Sequence, residues 1–86
     1  MKKTKIYNVQ RVRFRKDELI LVVDERKYHF KLEDISRKLL KARKKERELF
    51  EITPSGYGIH WPLIDEDLSI KALLKTVRDE ATTLRS

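Results

Sequence analysis

Two histidines, His29 and His60, and four serines, Ser36, Ser55, Ser69 and Ser86, are the residues whose types suit general-base or nucleophilic chemistry. A Ser–His–acid triad needs the nucleophile hydrogen-bonded to a base that a third group orients. No Gly-x-Ser-x-Gly elbow surrounds any of these serines, so no triad is expected. His60 stands between Ile59 and Trp61 in an alternating run, with no acid partner supplied by a motif. A lone histidine in that setting is more often a hydrogen-bonded structural residue than a general base. Asp65-Glu66-Asp67 offers hard oxygen ligands for a cation. It lacks the Asp-x-Asp-x-Asp-Gly spacing of a calcium loop, and capping of a following helix explains it without a ligand. Gly56 and Gly58 flank Tyr57 and form no phosphate loop; a hairpin needing positive φ accounts for them. The absence of Cys removes disulfides, thiolate nucleophiles, iron–sulfur clusters and Cys-type zinc sites. No catalytic residue, metal ligand or cofactor is therefore assigned, and a hydrolase built on His60 and Asp65 stands only as a remote third reading.

What remains is charge. The chain of 86 residues carries a formal net charge of +7, and 41% of its residues are charged. Residues 1–47 hold 17 Lys and Arg against 7 Asp and Glu, a net of +10, while residues 48–86 hold 4 against 7, a net of −3. Two stretches supply the excess: Lys2, Lys3, Lys5, Arg11, Arg13, Arg15 and Lys16, and then Arg37, Lys38, Lys41, Arg43, Lys44, Lys45 and Arg47. Such asymmetry suits phosphates or an acidic partner; keeping a small domain soluble is the plainer account of it. No apolar run approaches the roughly 20 residues of a membrane span, and residues 6–11 are no signal-peptide core. A cytoplasmic protein is expected.

The elements that would position these residues follow from periodicity. Val12 and Phe14 alternate with Arg11, Arg13 and Arg15, the period of a strand with one polar face. Leu19-Ile20-Leu21-Val22-Val23 is nearly unbroken and apolar, as in a central strand buried on both faces. Tyr28, Phe30 and Leu32 alternate with Lys27, His29 and Lys31, completing an antiparallel meander. From Leu32 the period changes to that of a helix through Ile35, Leu39 and Ala42, and the charged run over 43–48 is a solvated helical turn or a loop. Phe50 and Ile52, then Tyr57, Ile59 and Trp61, make a second hairpin ended by Pro62. Core packing is expected for Trp61 and Tyr57, because Ile59 shares their face; a surface anchor for a partner is the alternative. Asp65-Glu66-Asp67-Leu68-Ser69 reads as a helix start, with Asp67 or Ser69 as cap, before the helical spacing of Leu73, Leu74, Val77, Ala81 and Leu84. The expected fold is a single α+β domain over residues 1–86, antiparallel and ordered β-β-β-α-β-β-α, its sheet covered on one face by two helices. Arg11, Arg13, Arg15, Lys27, His29 and Lys31 would then share the open face, unless a bulge shifts the register.

The stretch Gly56-Tyr57-Gly58-Ile59-His60-Trp61-Pro62-Leu63-Ile64-Asp65-Glu66-Asp67-Leu68-Ser69-Ile70, followed by Leu73-Leu74, resembles the hallmark of domain of unknown function family 2442. That pattern is Gly-x-Gly-Ile-x-Trp-Pro, then Asp-Glu-Asp-(Leu/Ile)-Ser, then a short Leu-rich helix. Arg37-x-Leu39-Leu40-x-Ala42, and Glu46-Arg47 before Phe50, match its middle as well. The departure is the first meander's second turn, Asp24-Glu25-Arg26 where the family has Asp-Gly. The resemblance implies a small α+β domain and carries over no activity or catalytic residue. Some members carry a helix-turn-helix domain after this unit; this chain is expected to end before one. Members are often encoded beside a second small family, domain of unknown function family 4160, a pairing taken as toxin–antitoxin-like. The implied role is the antitoxin-like or partner-binding half. Fold specification accounts equally for Gly56, Gly58, Trp61, Pro62, Asp65, Asp67 and Ser69.

The leading expectation is a non-enzymatic module that binds a small protein partner. Its candidate face holds Arg11, Arg13, Arg15, Lys27, His29, Lys31, Arg37, Lys41, Lys44 and Lys45, or it uses an open strand edge. The alternative is nucleic-acid binding through the same residues, by phosphate contact rather than base reading, since no helix-turn-helix, RNP motif or zinc finger can be read. An unpaired edge strand would also allow a homodimer.

Overall fold

The computed structural model describes the backbone of residues 6–85, and the side chains of these residues except Ser55 and residues 78–85. Lys2, Lys3 and Lys5 of the first basic stretch, and the side chains of Ala81 and Leu84 in the last helix, lie outside that description.

Strands β1 (Val9–Arg15), β2 (Glu18–Val23) and β3 (Arg26–Lys31) form the expected antiparallel meander, with β2 in the centre. Val12 lies opposite Leu21 and Phe14 opposite Leu19; across the other seam Leu19 meets Phe30 and Leu21 meets Tyr28. A register shift between Val9 and Arg11 places a bulge at Gln10. It falls before the arginines, so Arg11, Arg13 and Arg15 stay in phase. Val23 and Arg26 close a two-residue loop in which Asp24 (φ 51°) and Glu25 (φ 67°) are both left-handed. That is the backbone of a type I′ turn, whose twist suits a hairpin. The Glu25 N–H donates to Gln10 Oε1 (2.6 Å) and the Asn8 N–H to Asp24 Oδ1 (3.1 Å), tying the turn to the strand beside it.

The one helix expected from Leu32 is instead three short turns, α1 (Leu32–Ile35), α2 (Arg37–Lys41) and α3 (Lys44–Glu48). The first break is at Ser36, whose backbone is extended (φ −163°). Its hydroxyl accepts the Leu39 N–H at 3.0 Å and donates to Glu66 Oε2 at 2.5 Å. Serine's hydroxyl competes with the helical ladder and favours a cap, and here a partner from another element completes it. The second break, at Ala42 and Arg43, is extended as well. The helical period survives because Leu32 and Leu39 are each buried from their own turn.

A second antiparallel sheet follows, ordered β4 (Glu51–Ile52), β5 (Gly58–Trp61) and β6 (Glu66–Ser69), with a 3-10 turn at Pro54–Gly56 and a closing helix α4 (Ile70–Arg85). Strand β6 corrects the sequence reading, which placed a helix start over 65–69. Leu68 opposite Ile59 and Glu66 opposite Trp61 extend the sheet by one strand. The acids therefore lie in a turn and a strand, and only Ser69 caps the helix, accepting the Ala72 N–H at 3.1 Å. Cross-strand pairing outweighs the local capping preference here.

The α+β, antiparallel class is as expected, but the single sheet resolves into two three-stranded sheets with four helices. One core joins them: Leu19, Leu21, Val23 and Phe30 from the first sheet, Leu32 and Leu39 from the short turns, Ile59 and Trp61 from the second sheet, and Ile70 and Leu73 from α4. Both helical segments and the second sheet thus cover the first sheet's inner face. Trp61 is wholly buried, 6.2 Å from Phe14 in an edge-on contact and 6.3 Å from Phe50.

Candidate functional site

The register that points Val12, Phe14, Leu19, Leu21 and Phe30 inward points their neighbours outward. Arg11 lies opposite Val22, Arg13 opposite Ile20 and Arg15 opposite Glu18. On the far side Ile20 meets His29, Val22 meets Lys27 and Glu18 meets Lys31. The outer face of the first sheet is therefore five cations and one acid around a half-buried aliphatic pair, Ile20 and Val22. A shallow hollow of about 400 Å³ runs over it, bounded by Arg11, Arg13, Arg15 and Lys27. His29 Nδ1 sits 3.6 Å from Glu18 Oε1 in an exposed pair. Tyr28 and Phe30 lie on the other side, and Phe14, which borders the hollow, packs its ring inward against Trp61. Arg11, Arg13, Arg15, Lys27, His29 and Lys31 are thus brought together as alternation suggested.

A second concavity lies along the free edge of β1. It encloses about 500 Å³ between β1 and the α3–β4 stretch, lined by Val12, Phe14 and Phe50 with Arg13, Lys16 and Lys44. Sequence reading missed it, since it depends on where α3 docks. Of the second basic stretch, only Lys44 and Arg47 reach this groove. Arg37 and Lys41 are exposed on α2 and Lys45 on α3. Lys38 Nζ donates to the Asp65 carbonyl (2.9 Å), joining α2 to the β5–β6 turn.

Arg47 belongs to the architecture rather than to a binding cluster. Its Nε donates to the Leu39 carbonyl (3.0 Å), one terminal nitrogen to the Lys16 carbonyl (2.7 Å) and the other to the Leu40 carbonyl (3.1 Å). Its side chain is 13% exposed, 3.6 Å from Asp17, and its guanidinium carbon lies 5.4 Å from the Phe14 ring centre. The Arg47 carbonyl in turn accepts the Trp61 indole N–H at 3.0 Å. Only a planar fork of five donors can satisfy three carbonyls and stack on a ring at once.

The residues with catalytic types are dispersed. His60 Nδ1 is 2.8 Å from Asp67 Oδ1, so the acid beside it is Asp67 and not Asp65. Cross-strand pairing places Glu51 on the other side of His60. Ser36 is spent on Glu66 and the Leu39 N–H, and neither histidine has a serine partner among the described residues. No group of three metal-ligating side chains occurs among the described residues either.

The fold-specifying motif behaves differently at each position. Gly56 has φ +64°, and a Cβ there would stand 2.0 Å from the Tyr7 carbonyl oxygen. Gly58 has no positive φ; a Cβ there would stand 2.9 Å from the Leu68 carbonyl across the sheet. Trp61 fills the core as expected, but Tyr57 is 49% exposed, because it sits in the turn before β5 rather than on the strand. Pro62 follows the last residue of β5 and opens the turn to β6, in which Asp65 is left-handed (φ 51°).

No helix of the described residues is long and apolar enough to cross a membrane. A search of the curated proteins gave no match. Among solved structures, a protein of unknown function from Rhodospirillum rubrum superposes with a TM-score of 0.65 at 23% identity, over 81% of this chain and 87% of that one. At that identity the likeness shows a shared fold. The family model described as "Protein of unknown function (DUF2442)" matches residues 9–79, from the first strand into the closing helix. With its glycine turn, buried Trp61 and β6–α4 junction inside that match, the chain belongs to the DUF2442 family.

Proposed function

We propose that this chain is a non-enzymatic binding module whose outer sheet face docks an acidic surface of a small protein partner. The observation that carries this reading is the composition of that face: Arg11, Arg13, Arg15, Lys27 and Lys31 around Ile20 and Val22. An aliphatic centre within a cationic surround has the anatomy of a protein interface, in which arginine is enriched and a desolvated centre carries the affinity. The most specific form of the reading is the antitoxin-like half of a toxin–antitoxin-type pair, which the family resemblance motivates. Its test is co-purification of the small protein encoded beside this gene, with growth measured when that protein is produced alone and together with this chain. Capture and growth rescue, both lost in an Arg13→Glu/Lys27→Glu double variant that folds normally, are expected. No capture by the unaltered chain refutes it.

Five cations on one face also favour phosphate contact as the second reading. The apolar centre of the face is Ile20 and Val22, and Phe14, which borders it, packs its ring against Trp61, so the face is a poor stacking platform for single-stranded nucleic acid. A gel-shift series separates the two: tight oligonucleotide binding that falls steeply with salt supports nucleic acid, and no shift at low salt rejects it.

A further inference from the structure

Building on the acidic-partner reading, we propose that the free edge of β1 takes an extended strand of the partner, in which acidic residues alternate with apolar ones. Strand β1 is terminal in its sheet and, at seven residues, the longest strand of the fold. No backbone bond from outside the sheet reaches residues 11–15 among the described residues. Such an edge is a template for an added strand.

The two sides of that edge differ in chemistry. A strand laid beside β1 points alternate side chains to opposite faces. On the inner side they meet the groove floored by Val12, Phe14 and Phe50. On the outer side they lie beside Arg11, Arg13 and Arg15. Arg13, Lys16, Lys44 and the carbonyl-bound Arg47 line the groove as well, against one acid, Glu48. One strand register therefore satisfies both surfaces when its inward residues are apolar and its outward residues acidic. A second copy of this chain is a poor occupant, because β1 beside β1 would set arginine rows against each other, and like charges across strands repel.

The probe is a capped peptide of glutamate alternating with valine, matching the seven residues of β1 in length. It is titrated into the whole chain, uniformly nitrogen-15 labelled, at low salt. Slowed amide exchange is expected at alternate residues of β1. Two N-methylated versions fix the geometry. Methylation of the amides facing the edge should weaken binding about tenfold or more, as expected for one or two lost backbone bonds, while methylation of the other set leaves it nearly unchanged. Peptide binding that shifts the Arg13 and Lys27 side chains but ignores both methylations overturns the edge inference and leaves the acidic-partner reading standing. No binding at all overturns the edge inference, and the parent reading then falls only if partner capture also fails. A dimer in sedimentation whose β1 amides are already protected without peptide overturns it in favour of a second copy.

Discussion

Replacing Arg47 by alanine should cost this domain a large part of its stability. The guanidinium donates to three backbone carbonyls and stacks over Phe14, with 13% of the side chain exposed. Three bonds at about 1 kcal/mol each, low for a charged donor because some solvent reaches it, and about 0.5–1 kcal/mol for the ring contact, give a loss of about 3–4 kcal/mol. The ion pair with Asp17 is left out, since that carboxylate is 74% exposed. A chain of this length holds about 4–13 kcal/mol in all, so the melting temperature should fall by roughly 12–30 °C. Arg47→Lys keeps the charge but not the fork, and should lose about 2 kcal/mol. Lys44→Ala is the control. That side chain is 88% exposed, and the change should stay within about 0.5 kcal/mol. Urea unfolding followed by Trp61 fluorescence reads all three variants, because the chain has one tryptophan and its indole donates to the Arg47 carbonyl. If Arg47→Ala moves stability no more than Lys44→Ala does, the structural account of this arginine is wrong.

Two further substitutions test the backbone. Glu25→Gly should stabilise by about 0.5–1 kcal/mol in thermal melts, since a left-handed non-glycine costs about 1–2 kcal/mol and glycine's extra freedom in the unfolded chain returns part of that; a lower melting temperature would contradict the type I′ assignment. Gly56→Ala should destabilise by about 2–4 kcal/mol, from its positive φ and the collision with the Tyr7 carbonyl. A near-neutral melt would place the N-terminal segment elsewhere.

The first meander was legible because period-2 alternation fixes both strands and faces at once. Arg11, Arg13 and Arg15 needed only the bulge to fall outside their span, which it does, at Gln10. The second half was legible in its parts and not in its pairing. Asp65-Glu66-Asp67-Leu68-Ser69 carries a capping signal that is real at Ser69, yet Leu68 and Glu66 belong to a strand because Ile59 and Trp61 lie opposite them. Local propensity cannot report a neighbour that arrives through a turn. The break at Ser36 was hidden for the same reason, since its second partner, Glu66, is 30 residues away. Tyr57 stays outside the core because the strand begins one residue after it. The edge groove and the role of Arg47 could not be read from spacing, as both depend on where a five-residue helical turn docks.

The sharing of one core between two sheets has a consequence for how this chain comes off the ribosome. When the first meander has emerged, Leu19, Leu21, Val23 and Phe30 present a naked apolar surface, and Ile59, Trp61 and Ile70, which complete the core around them, have yet to leave the exit tunnel. Arg47 cannot hold Trp61 before the second sheet exists. Ile70 and Leu73 of the closing helix belong to that core, so its burial is complete only once they arrive. During that interval the nascent chain carries its +10 charge over residues 1–47. Self-repulsion of that charge opposes association between such half-made chains.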